Sequence, residues 1–137
     1  MKILIDTNVL FTGLKSRKGA SFKLLSLIPS NRFSIAISVP LLLEYEEVLN
    51  RGGLTLSKKD ITDIIDFFCS IGEPQKIFFL WRPFLPDPSD DLVLELAVAS
   101  GCKAIITYNK RHFKNAEQFG LRILDPREFL TEIGEIK

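Results

Sequence analysis

Residues 2–8, Lys-Ile-Leu-Ile-Asp-Thr-Asn, constrain this chain more than any other stretch. Ile3, Leu4 and Ile5 leave no polar face, so the run predicts a strand buried on both sides, as the central strands of parallel sheets are. Asp6 ends that run at the strand's carboxyl end, where open α/β sheets place their ligands. Thr7 and Asn8 are helix-start residues ahead of Val9, Leu10 and Phe11. A lone acid here is adequately explained as a helix N-cap. That explanation weakens because other acids occupy equivalent places farther along.

The rest of the chain alternates strand and helix patterns. Helices are expected over Thr7 to Leu14, over Ala20 to Leu27, and from Val39 and Pro40 to Leu49. Further helices are expected after a Ser57 cap, over Leu92 to Ala99 behind a Ser89 or Asp90 cap, and from Asp125 onward. Strands are expected at Phe33 to Ser38, Lys76 to Leu80, Lys103 to Thr107 and Leu121 to Leu124. Gly72-Glu73-Pro74 reads as the stop of the Ser57 helix. The alternation implies an α/β fold, a three-layer α/β/α domain around a mostly parallel, about five-stranded central sheet. A single domain over residues 1–137 suits the length, and the proline-spaced stretch Trp81 to Pro86 reads as a connector rather than a boundary.

A net charge of +1 offers no global basic field, so a nucleic-acid ligand would have to use local patches. Cys69 and Cys102 sit among apolar residues and read as buried thiols of a reducing compartment. No apolar stretch has the length of a signal peptide core or a membrane span, which points to a cytoplasmic protein with no membrane partner. A phosphate-binding P-loop, a dinucleotide fingerprint and a Gly-x-Ser-x-Gly elbow are all missing from the sequence.

What remains is a set of acids. In the helix after Pro40, Glu47 stands four residues before Arg51, a surface-pair spacing. Glu44 and Glu46 both border apolar stripes, and periodicity does not separate them, although Glu44 lies nearer the helix start. Asp87, Asp90 and Asp91 place three acids within five residues, more than a helix dipole asks for, and their repulsion is better tolerated beside a cation. The strand ending at Thr107 and Asn109 closes in small polar chemistry like the first strand, and Lys110-Arg111-His112 follows. His112, the one histidine, reads as a surface or substrate-side residue among solvated lysines.

On a parallel sheet, Asp6, Glu44, Asp91, Thr107 and Asn109 gather at one edge. Carboxylates from three distant segments, with no histidine or cysteine ligand, describe a site for a hard cation, Mg²⁺ or Mn²⁺. Phosphodiester hydrolysis is the chemistry such a site serves.

The order and spacing of these segments resemble the PIN-domain proteins. The carriers are Ile5-Asp6-Thr7-Asn8-Val9-Leu10, Ser38 to Leu49, Asp87 to Asp91 and Thr107-Tyr108-Asn109, with the strongest likeness to the toxin subfamily of toxin–antitoxin pairs. The resemblance implies a metal-dependent endoribonuclease, commonly a homodimer and neutralised by a small antitoxin protein. It assigns the metal-binding and catalytic acids to Asp6, Glu44 and Asp91, which decides between Glu44 and Glu46. It also implies that Thr107 and Asn109 orient ligand or water and that Asn8 braces Asp6. Many relatives carry an acid where Asn109 stands, so a second metal would be bound less tightly here. Lys110 and Arg111, with Lys15, Arg17 and Lys18, are candidates for phosphate contact, although each taken singly is better explained as a solvated side chain. A structure-specific DNA nuclease, a phosphatase of related fold and an inactive nucleic-acid-binding domain are the competing functions.

Overall fold

A computed structural model of the chain describes residues 1–74, 88–114 and 116–136. The first strand, β1 (Lys2–Ile5), is central as its composition demands. It leads to α1 (Thr7–Lys15) and α2 (Ala20–Leu27), then to β2 (Ser34–Ile37). Next come α3 (Val39–Asn50), α4 (Lys58–Ile71) and a two-residue β3 (Glu73–Pro74). The chain closes with α5 (Pro88–Ala99), β4 (Ala104–Ile106), β5 (Arg122–Leu124) and α6 (Pro126–Glu132). The five described strands form one sheet in the order β3-β2-β1-β4-β5. Every described pairing is parallel, with Ile3 opposite both Ile35 and Ala104 and Ile5 opposite Ile106. All five carboxyl ends therefore lie along one edge of the sheet.

The physical reason for this layout is visible in β1. Ile3, Leu4 and Ile5 are at most 1% exposed, which requires a strand on each side and helices over each face. The α1–α2 pair packs on α6, and α3 packs against α4 and meets both α1 and α5. Phe33 meets Phe129 edge-on at 5.3 Å, and Tyr45 meets Phe68 at 5.4 Å. Helix starts follow the local chemistry. The Ser38 hydroxyl accepts the Leu41 N–H at 3.2 Å, with Pro40 in the first turn. Ser57 with Asp60, and Asp125 with Glu128, form complete capping boxes.

Three local expectations change. Glu73 and Pro74 do more than stop α4, since they pair in parallel with Ala36 and Ile37 of β2. A proline is tolerated there because β3 is an edge strand of the described sheet. Helix α5 begins at Pro88, so Ser89 and Asp90 lie inside its first turn and do not cap it. Cys69 is exposed, while Cys102 is buried as expected. Cys69 directly follows buried Phe68, and one residue turns a helix by about 100°, out of the Ile61–Phe68 stripe. The strand expected at Lys76 to Leu80, the connector Trp81 to Pro86, and Asp87 lie outside the described residues. Among the described residues no helix is long and apolar enough to cross a membrane.

Gly72 sits where α4 turns into β3. A Cβ there would stand 2.7 Å from Ile37 Cγ2 and 2.8 Å from the Phe68 carbonyl oxygen. Ile37 is buried in β2, and the Phe68 carbonyl accepts the Gly72 N–H. Gly72→Ala should therefore destabilise the fold by about 1–3 kcal/mol. A lower midpoint of urea unfolding is the expected result, and an unchanged midpoint would contradict this close approach.

Candidate active site at the carboxyl edge of the sheet

Asp6 ends β1 at the middle of the edge. Its N–H is tied to the Ile106 carbonyl of β4 at 2.9 Å, and the residue is only 7% exposed. It does sit at the N-cap position of α1, where Oδ1 accepts the Thr7 N–H at 2.9 Å. The second oxygen has other work. Oδ2 accepts from the Thr107 hydroxyl at 2.7 Å and from the Asn8 amide at 3.2 Å. Burial pushes the Asp6 carboxyl above its ordinary range, against the opposing pull of the Thr107, Thr7 and Asn8 hydrogen bonds and the charge of His112. A cap alone needs no such partly compensated, buried carboxylate.

The loop after β4 is built around the same contacts. Thr107 is fully buried, and its N–H bonds to the Leu124 carbonyl of β5 at 2.9 Å. Its hydroxyl oxygen accepts the Asn109 N–H at 3.0 Å and the Asn8 amide at 3.3 Å. Asn8 also accepts the Tyr108 N–H at 3.1 Å. Thus Asn8, on the first turn of α1, holds both Asp6 and the Thr107–Asn109 segment. Asn109 itself is exposed at the rim.

Helix α3 brings Glu44 to this group. Leu41, Tyr45 and Leu49 form its buried stripe, and the Tyr45 hydroxyl donates to the Ile5 carbonyl at the end of β1. Burial, with Asp6 and Glu44 nearby, raises the Tyr45 phenol well above its ordinary range and keeps it a donor. One residue earlier, Glu44 accepts the Thr7 hydroxyl at 3.1 Å. Glu46 is exposed, and Glu47 pairs with Arg51 at 2.8 Å. The structure therefore separates Glu44 from Glu46, the two acids that periodicity leaves equivalent, and pairs Glu47 with Arg51 as its spacing predicts.

The third acid is less simple. Asp90 and Asp91 both lie in the first turn of α5. Asp90 Oδ2 stands 3.4 Å from His112 Nδ1, with its side chain 13% exposed, while Asp91 is half-buried. From sequence, Asp90 is a possible cap and His112 a surface or substrate-side residue, and their pairing is not anticipated. The i, i+4, i+7 series Asp90, Leu94, Ala97 carried the signal, because Leu94 and Ala97 are wholly buried and point Asp90 inward. His112 offered no equivalent signal, being one member of a basic run. Of the expected phosphate contacts, Lys110 is bound to Glu128 of the α6 capping box at 2.7 Å, and Arg111 is exposed.

No set of three acid, histidine or cysteine side chains among the described residues stands close enough to hold a metal ion by direct ligation. The donor chemistry nevertheless fits a hard cation. Asp6 and Glu44 present carboxylate oxygens one residue apart across Thr7, and Mg²⁺ is commonly bound through one or two carboxylates with its remaining positions filled by water. Thr7, Asn8, Phe11, Thr12, Val48, Arg51 and Gly52 line a cavity of about 420 Å³ that neither acid borders.

The family model described as PIN domain matches residues 2–111. No curated protein matches the sequence. Among solved structures, a chain of VapBC2 from Rickettsia felis bound to a promoter DNA fragment aligns at a TM-score of 0.60 and 18% identity, covering 91% of this chain and all of that one. A chain of VapBC-1 from nontypeable Haemophilus influenzae aligns at 0.63 and 16% identity, covering 93% of this chain and 99% of that one. At these identities the likeness is one of fold.

The raised Asp6 pKa sets a pH dependence for the metal-free protein. The ionised form is disfavoured in the fold, so its cost is absent below the unfolded-state value near 3.8. The cost grows as pH rises toward the folded-state value and is complete above it. Asp6→Asn removes the titration. The mutant's stability relative to wild type should therefore rise as the pH is taken upward from 3.8 in chelator, measured by denaturant unfolding. A difference that stays flat, or that falls, would contradict a desolvated carboxylate.

Proposed function

The chain belongs to the PIN-domain family, and from that premise we propose that it is a Mg²⁺- or Mn²⁺-dependent endoribonuclease, the toxin of a toxin–antitoxin pair. The observation that carries the proposal is the Asp6 carboxylate, buried at the carboxyl edge, held by Thr107, Thr7 and Asn8, with Glu44 on the next side chain. A divalent cation, when bound, supplies a Lewis acid for water and for the phosphate oxygens.

The chain's own residues have distinct tasks. Asp6 and Glu44 hold the cation, and an acid of α5 completes the charge. The resemblance to relatives assigns that third role to Asp91, and Asp90, 3.4 Å from His112, is the other candidate. Thr107 and Asn8 fix the Asp6 carboxylate in one orientation, as outer partners of metal ligands do. Asn109 presents an amide at the rim, where it can orient water or a phosphate oxygen without adding negative charge. Arg111, which is exposed, takes the phosphate contact in this reading. Lys110, engaged by Glu128, contributes less.

Assembly follows the same premise. The solved neighbours are VapBC proteins, which supports a small antitoxin as partner. Val39 and Leu43, 69% and 60% exposed one turn apart on α3, support a homodimer. The proposed setting is the cytoplasm.

Purified protein should cleave single-stranded RNA with Mn²⁺ or Mg²⁺, leave a 5′-phosphate and a 3′-hydroxyl, and stop in chelator. Thr107→Val should lower metal affinity or rate by about 10–100-fold. Asp90→Asn and Asp91→Asn, assayed side by side, identify the third acid by the larger loss. Cleavage that survives chelator, or that yields a 2′,3′-cyclic phosphate, would contradict the mechanism. Equal activity on DNA or on a small phosphate ester would contradict the substrate.

A further inference from the structure

Tyr108 lies between Thr107, which donates to Asp6, and Asn109 at the rim, yet the metal site makes no use of its ring. Its attachment inverts the usual arrangement. A tyrosine commonly buries its ring and leaves the hydroxyl wet. Here the hydroxyl is hydrogen-bonded to Ser21 Oγ, a side chain only 1% exposed, while the residue is 45% exposed. The backbone is tied as well, since the Tyr108 N–H donates to Asn8 Oδ1 at 3.1 Å. Backbone and hydroxyl are both held, so a partly exposed aromatic residue is fixed one position from Thr107, the donor to Asp6.

We propose that Tyr108 is a stacking platform for a base of single-stranded RNA, next to the phosphate taken by the acid site. The proposal rests on the nuclease reading above and adds how that site recognises its substrate. Three observations support a base as the occupant. The ring is exposed but immobilised, so stacking on it loses little side-chain freedom. The net charge is +1 and Lys110 is engaged by Glu128, so phosphate attraction alone is weak. Aromatic stacking adds affinity without adding charge and tolerates any base, because every base has a π-face. It also selects single strands, whose bases are free to leave their neighbours.

The experiment is a binding cycle. A fluorescein-labelled RNA nonamer of mixed sequence, and a series in which one base at a time is replaced by an abasic unit, are titrated by anisotropy in Ca²⁺. Cleavage is followed in Mn²⁺ on the same series. In wild type, one abasic position beside the cut bond should weaken binding about tenfold, the scale of one base–aromatic stack. Tyr108→Ala should weaken binding of the intact RNA by a similar factor, and the abasic unit should then cost nothing further. Tyr108→Trp should keep both the affinity and the abasic sensitivity. It carries the test if the alanine variant fails to fold. If wild type binds and cuts the RNA but the abasic scan is flat, or Tyr108→Ala keeps wild-type affinity and profile, stacking is overturned and the nuclease reading stands. If wild type neither binds nor cuts any of the RNAs, both are overturned.

Discussion

The hydrogen bond from the Thr107 hydroxyl to Asp6 Oδ2, 2.7 Å long and fully buried, joins the two central strands at the place where both run out. A carboxylate at that depth is costly, and neutral donors reduce the cost without cancelling its charge. The surrounding structure is arranged to supply those donors. β1 and β4 pair in register up to Ile5 and Ile106, which delivers Asp6 and Thr107 side by side. Asn8 reaches back from α1 to hold both, and Tyr45 anchors α3 to the last carbonyl of β1. The result is a negative centre that the fold tolerates rather than neutralises.

This arrangement explains why the local sequence at the edge is polar but small. Thr7, Asn8, Thr107 and Asn109 each carry a short side chain with a donor or acceptor, and each bonds within the site through side chain or backbone. Larger side chains would fill the space beside Asp6 and Glu44. Tyr108 is the exception, and its hydroxyl is held by the buried Ser21 on α2. The same edge thus combines a negative centre with a partly exposed aromatic residue.

Much of this was legible in the order of residues because the signals were local. The unbroken apolar run Ile3 to Ile5 announced a central parallel strand, and Ser38, Ser57 and Asp125 announced helix starts that carry the expected cap bonds. The likeness to PIN-domain proteins rested on motifs in order, and the match over residues 2–111 agrees. What was not legible depended on tertiary reach. Glu44 and Glu46 are equivalent by periodicity, the resemblance chooses Glu44, and the bond from the Thr7 hydroxyl, 37 positions away, is the physical contact that periodicity does not show. Lys110 looks like a free cation in sequence, but its partner Glu128 belongs to a later helix. Asp90 was masked by its neighbour Asp91 because the start of α5 was placed after both, although the helix begins at Pro88.

The central claim is that Asp6 and Glu44 together form a cation site rather than a cap and a surface acid. Melting curves in chelator and in excess Mn²⁺ for wild type, Asp6→Asn, Glu44→Gln and Glu46→Gln test it directly. A ligand stabilises the folded state in proportion to the logarithm of its concentration over its dissociation constant. Wild type and Glu46→Gln should therefore show the same Mn²⁺-induced rise in Tm, and Asp6→Asn and Glu44→Gln should lose most of it. An Asp6→Asn protein that keeps the full wild-type shift would contradict the account.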